Sequence, residues 1–508
     1  MSVLKTFVSF VKKHKRYPKM AELNTLGITR AEVRTFSENL TGLKEKAYPY
    51  IKNDIFDLNL EKFNSQIDQT KNRFIITTAV TGAEVNQDFL KSLKKYCKKN
   101  NAQLLVLVSF QNSELELDPA LRGLTIIDSD ADINNNLSIL SIRNGAKQVD
   151  PITGLPRIGR RNGSIICPSP KQRLKYVATG PSALPHALMS TGAVTKKNYL
   201  AKKSFVDKTS YLADHDHTLG ALIVEIESDG HFHFRQIQSD PKGVFYDLNQ
   251  KITPKGVSKS SPSVLVLGDW HAGETDYNVA RHTDNLGKKL GISTFVLHDA
   301  FSATSCSHHD IGKNITLAKK QVKNKLNLEA ELDIYVRDLI WLSNSRQVVI
   351  VKSNHDEHLE RYLNEGRYVN DPQNHKLALE LALAYINGNN PLEYYFNRSR
   401  QPKNIRWLSR DEDYSFQGIQ LGAHGDKGAN GSKGGINSME NAYRKVVYGH
   451  MHTPEIMRDA WCVGTSTPTS PDYGSGPSSW MNTHCLIHEN GSRQLLNFIN
   501  NKFTTKKL

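Results

Sequence analysis

The stretch Val264-Leu265-Val266-Leu267-Gly268-Asp269-Trp270-His271 decides how the second half of this chain is read. Four apolar residues suited to a buried strand run into Gly268, and Asp269 and His271 follow, one residue apart. On extended backbone, residues two apart point to the same side, so a carboxylate and an imidazole reach toward one place. Four later stretches repeat the device. TFVLHD (294–299) ends in Asp299, and QVVIVKSNHD (347–356) ends in Asn354, His355 and Asp356. IQLGAHGD (419–426) contains His424, and VVYGHMH (446–452) ends in His450 and His452. Ligands of open α/β sheets bind at the carboxyl ends of the strands. A donor set of carboxylate, amide and imidazole suits manganese, iron or zinc better than calcium, which takes all-oxygen shells.

Taken in order, G-D-W-H (268–271), H-D (298–299), S-N-H-D (353–356), A-H-G (423–425) and G-H-M-H (449–452) resemble the motif series of the calcineurin-like metallophosphoesterase superfamily, across residues 260–500. The resemblance implies that the C-terminal part is a calcineurin-like β-sandwich flanked by helices; the residues before it read as a basic α+β N-terminal half, so the chain as a whole is expected to be α/β. It also implies two divalent metal ions, with manganese the foremost choice. Carried over position by position, one ion takes Asp269, His271, Asp299 and His452, and the other takes Asp299, Asn354, His424 and His450. His355 is then the catalytic residue, beside the metals and not a ligand. Two adjacent cations lower the pKa of a shared water and neutralise phosphate oxygens, while His355 protonates the leaving alkoxide. The chain departs from the pattern in two places. His298 stands where glycine is usual, with Ala300-Phe301-Ser302 where a second aspartate is common, and Ser353 opens the third motif in place of glycine. His308, His309 and Asp310 are the candidates to orient His355 in place of the missing aspartate.

Upstream of the first motif, KITPKGVSKSSPS (251–263) has the Lys/Ser/Pro composition of a linker. It separates a catalytic domain at 262–508 from an α/β region at 70–255 and a small helical region at 1–65. In the helical region, Gly27 separates two short helices, and Thr29 and Glu32 form a capping box at the start of the second. With Arg30 and Arg34 four apart, this is the outline of a helix-turn-helix. Residues 72–128 alternate strand, helix and strand, and TLGALIVEIESDGHFHFRQIQ (218–238) reads as a hairpin with half-exposed histidines. The segment between the second and third motifs holds one long helix or two, the crossover that a parallel sheet requires.

Charge identifies the class of partner. The 508 residues carry 66 Lys and Arg against 51 Asp and Glu, a formal net charge of +15. Small phosphoesters do not call for such an excess, whereas polyanions do. Residues 152–206 contain no acidic residue, yet hold Arg160, Arg161, Lys171, Arg173, Lys196 and Lys197, with Tyr176, Tyr199 and Phe205 interleaved. Cations that track phosphates, with aromatics that stack on bases, make this window the expected DNA contact, centred on Arg160, Arg161, Lys196 and Lys197. Five cysteines without CxxC spacing fit a reducing compartment. No apolar stretch approaches the ~20 residues of a membrane helix. These features predict a cytoplasmic protein, acting in the host cytoplasm if phage-encoded, with DNA and no membrane as partner.

The expected function is a metal-dependent DNA nuclease. It resembles SbcD-type repair nucleases in chemistry, which implies a homo-oligomer. In its LHD and SHHD spacing and its G-x-S-x-P-x-S…S-W segment (464–480) it is more similar to phage-encoded early nucleases that degrade host DNA. A phosphatase or cyclic-nucleotide phosphodiesterase with the same core is one alternative. A non-enzymatic DNA-binding host-takeover factor is another.

Overall fold

The computed structural model describes residues 2–111, 116–142, 145–158, 163–200, 207–399, 404–410, 412–470 and 476–508. It is a mixed α/β protein with several sheets. The chain divides into two compact units, residues 1–174 with 186–259, and residues 175–185 with 260–508. None of the described helices is long and apolar enough to cross a membrane.

The first unit opens with helices Val3–His14, Met20–Thr25, Arg30–Ser37 and Leu40–Ile51. Their apolar faces meet in a small core that includes Phe7, Val11, Leu23, Ile28, Val33, Leu43 and Ala47. Gly27 takes the left-handed conformation (φ 79°) that the turn between the second and third helices needs. Thr29 caps the third helix, with Glu32 bonded back to the Thr29 amide at 2.7 Å. Next comes a five-stranded sheet in the order Phe232–Gln238, Gly220–Ile226, Arg73–Val80, Gln103–Ser109, Thr125–Ile127. The last three strands are parallel, and helix Gln87–Asn100 makes the crossover between the first two of them. One face of that helix, Phe89, Leu93 and Tyr96, packs into the core formed by Ile75, Val106, Ile126 and Ile223.

Two expectations fail here. The segment read as a linker is partly a sheet: Gln250–Ile252 and Val257–Lys259 pair with each other, and Phe245–Asp247 pairs with the first of them. Backbone pairing overrides a composition typical of loops. His233 is 1% exposed and bonds Glu227 at 3.3 Å, so it is a core residue and not half-exposed.

In the second unit, four of the motif-bearing or flanking strands run parallel in the order Ile405–Trp407, Gln347–Ile350, Thr294–Leu297, Val264–Val266. The hairpin Thr483–Ile487/Arg493–Asn497 continues this sheet in antiparallel fashion. Helix Tyr277–Leu290 connects the first two motif strands, and two helices, Asn314–Val322 and Leu328–Ser343, connect the second and third. A second run of strands sets Ile419–Gln420, Val446–Tyr448 and Ala460–Cys462 parallel to one another. Each motif therefore leaves a strand at its carboxyl end, where the chain is free to turn.

Candidate metal centre

At the first, second and fifth motifs the backbone leaves the extended region abruptly. His271 (φ 50°), Asp299 (φ 43°), His450 (φ 72°) and His452 (φ 56°) all occupy the left-handed region, which L-residues with bulky side chains seldom adopt. Such strain, roughly 1–3 kcal/mol per residue, persists where the surroundings impose it, and it gathers at functional sites. Here it re-aims four polar side chains inward.

The side chains converge. Asp269, His271, Asp299 and His452 form one group with potential ligand atoms all within 4.8 Å of one another, and Asp299, His424 and His450 form a second. Asp299 belongs to both. His452 Nε2 lies 3.2 Å from Asp269 Oδ2, and His271 Nε2 lies 3.6 Å from Asp299 Oδ2. On the other side, His424 Nε2 is 3.2 Å from the same Asp299 oxygen and 3.1 Å from Asn354 Oδ1. The two carboxylates are buried: Asp269 is 0% exposed and Asp299 1%. A carboxylate is costly to bury without a compensating charge. Even so, Asp269 Oδ1 and Asp299 Oδ1 have no hydrogen-bond partner. Orphaned buried carboxylate oxygens ringed by imidazoles are the donor set of a divalent cation site, and these residues fit one.

The electrostatics agree. Burial raises the Asp299 carboxyl, but the imidazoles of His424, His355 and His271 outweigh it and hold the group well below the usual carboxylate range. Burial opposes charge on His424, yet Asp299 and then Asp269 beside it raise the imidazole to about 9. Burial and the neighbouring His355 push His271 down to about 3.

Neighbouring residues shape the cluster. A Cβ on Gly449 would lie 2.2 Å from Asp269 Oδ1, so glycine is needed for the fifth motif to close on the first. Ser353, the departure from the motif series, caps helix Asn354–Asn364 together with Asp356, whose carboxylate accepts from the Ser353 amide at 2.9 Å. His298, the other departure, is fully buried and stacks on His424 with ring centroids 5.6 Å apart.

His355 stands outside both groups, edge-on to His271 at 4.6 Å. Its orienting partner corrects the expectation. Nδ1 donates to the Ser302 carbonyl at 2.7 Å, and the ring needs neither His308, His309 nor Asp310. Asp310 instead pairs with Lys320 at 2.5 Å. The His355 ring is held by a backbone carbonyl, which no side-chain pattern could announce.

Sequence reading also missed the support of the first motif. His484 Nδ1 accepts from the Gly268 amide at 2.9 Å, Ser466 Oγ donates to the Gly268 carbonyl at 2.8 Å, and the Ser466 amide donates to the Asp269 carbonyl at 2.8 Å. Trp480 sets its ring 4.2 Å from that of His452. Ser466 and Trp480 lie in the Gly/Ser/Pro-rich segment after the fifth motif, whose polar residues were the available signal.

The basic window behaves differently. Arg160, Arg161 and Phe205 lie outside the described residues. Lys196 pairs with Glu84 at 3.3 Å and Lys197 with Asp214 at 3.1 Å, both lysines exposed. Lys171 and Arg173 are buried against Asp216 and Asp150. Tyr176 and Tyr199 are also buried, with their hydroxyls bonded to Asn497 and His217, so they are not free to stack on bases. The missing acids are supplied from elsewhere in the chain.

The chain is 30% identical to Protein A1 of Escherichia phage T5 over 465 residues, which is 85% of this chain and 82% of that protein. No protein-family model and no solved structure matches it. It belongs to the family of that phage protein.

Proposed function

We propose that this member of the Protein A1 family is a metal-dependent DNA nuclease, built on a calcineurin-like metallophosphoesterase core and hydrolysing phosphodiester bonds with two divalent ions, manganese foremost. The observation that carries the reading is Asp299: buried, shared by two imidazole-rich groups, with one oxygen unpartnered. A relative from a phage fits a phage-encoded enzyme acting on host DNA in the host cytoplasm. The net charge of +15 favours a polyanionic substrate over a small phosphoester.

Asp269, His271, Asp299 and His452 would hold one ion, and Asp299, Asn354, His424 and His450 the other. Bound there, the two ions supply Lewis acidity to the phosphate and acidify water. Every other task falls to the chain. The closely packed motifs keep bulk water out, which strengthens each charge interaction inside. His355 donates through Nδ1 to Ser302, leaving Nε2 to carry the proton delivered to the leaving alkoxide oxygen.

The test is a nuclease assay on duplex and single-stranded DNA, run beside a small phosphodiester, with and without manganese and after chelation. Manganese-dependent cleavage of DNA, lost on chelation, is expected. Hydrolysis of the small ester without cleavage of DNA would move the reading to a phosphatase or cyclic-nucleotide phosphodiesterase. DNA binding with no hydrolysis of either would make the protein a binding factor.

A further inference from the structure

A second histidine cluster lies in the same unit. His308 and His309, in the 3-10 turn after the second motif, face His358 on helix Asn354–Asn364, one turn beyond His355. One ring nitrogen of each lies within 4.8 Å of those of the other two. The rings are tightly gathered, with centroids 3.9 Å apart for His308 and His309, 4.7 Å for His308 and His358, and 5.4 Å for His309 and His358. His358 is only 8% exposed, and its Nδ1 has no hydrogen-bond partner; neither has the buried Nδ1 of His308. Unsatisfied nitrogens on a buried imidazole carry a desolvation cost that a ligand would remove.

Two ligand classes can be weighed. An anion would need cationic partners, but the nearby arginines are engaged: Arg361 and Arg367 both pair with Glu365, at 2.6 Å and 3.0 Å. The cluster instead presents ring nitrogens: the buried Nδ1 atoms of His308 and His358 have no hydrogen-bond partner, and each ring can offer a lone pair to a cation. An imidazole that offers a ring nitrogen lone pair is a common metal ligand. Three of them, with no carboxylate in the cluster, suit a borderline transition metal such as zinc or cobalt rather than magnesium or manganese.

We propose that His308, His309 and His358 form a third cation site for a zinc-like divalent ion, separate from the centre that Asp299 organises. The ion clips the turn His308–Asp310 to the helix that begins at Asn354 and carries His355. The inference does not require the nuclease reading, since it concerns only which residues hold a cation.

The test uses the full-length chain, stripped by chelation and reloaded with cobalt(II), whose visible spectrum reports imidazole coordination, with ions counted by elemental analysis. His309 is exposed, so His309→Ala leaves the core intact. His309→Ala and the double variant His308→Ala/His309→Ala should each bind one ion fewer per chain than the parent, with circular dichroism unchanged. Asp299→Ala should lose ions from the other centre and keep the one that the histidine variants lose. Equal ion counts in the parent and both histidine variants would overturn the site. Loss of all ions in Asp299→Ala would show a single continuous centre and overturn its separateness. Should no ion bind near Asp299 in the parent while the histidine-dependent ion remains, the nuclease reading fails and this one stands.

Discussion

The strand-end motifs and the acid-free basic window both stand out in the sequence, but they fare differently in the fold. The motifs are scattered over residues 268–452, yet their polar side chains close to within 4.8 Å in two groups around Asp299. The window is continuous, yet among its described residues Lys171, Arg173, Lys196 and Lys197 pair with acids outside it, Asp216, Asp150, Glu84 and Asp214. The difference is one of constraint. A polar residue at the end of a buried strand has its position set by the sheet, and only a few such ends can meet. A run of cations says nothing of which acids elsewhere will fold against it. Spatial convergence is therefore the stronger warrant, and the metal centre carries the functional reading.

The largest expected effect falls on the shared carboxylate. Asp299→Ala should reduce hydrolysis to background and lower the ion count at the centre, because it removes a donor from both groups at once. Elemental analysis with two ions still bound at this centre would break the claim that Asp299 joins the groups. Next is His355→Ala. Metal content should hold while turnover falls roughly 10²–10⁴-fold, the range for a lost general acid. Loss of ions in that variant would make His355 a ligand.

A smaller effect tests the packing. Gly449→Ala places a methyl group against Asp269 Oδ1, and overpacking of this kind costs about 1–3 kcal/mol. Manganese affinity, measured by calorimetry, should fall while the fold remains. An unchanged affinity would mean that the first and fifth motifs need not touch. The smallest effect belongs to the window. Neutralising Lys196 and Lys197 should weaken DNA binding and flatten its salt dependence by about one unit for each phosphate no longer neutralised. Neither lysine lies in the unit that holds the metal centre, so hydrolysis of a small phosphodiester should not change. A matching loss on the small ester would place these residues in the catalytic machinery and erase the contrast between the two regions.

Much of the local structure was legible. Apolar runs become the strands before Gly268, His298, Val351 and Gly449, and the Thr29–Glu32 capping box starts its helix as read. Leu328–Ser343 and Asn314–Val322 divide the crossover between the second and third motifs into two helices. What was not legible depends on long-range contacts. The Ser302 carbonyl that orients His355, the His484 nitrogen under Gly268 and the burial of Tyr176 and Tyr199 all involve partners that no local pattern names. The strands within residues 250–259 were missed because lysine, serine and proline mark a loop until another strand pairs with them.

The central claim is that one buried carboxylate joins two cation sites. Electron paramagnetic resonance of the manganese-loaded protein tests it most directly. Two ions sharing Asp299, at the ~3.5–4 Å of two-metal centres, give a spin-coupled multiline spectrum that Asp299→Ala abolishes. A spectrum of isolated manganese alone, unchanged by that substitution, would contradict the account.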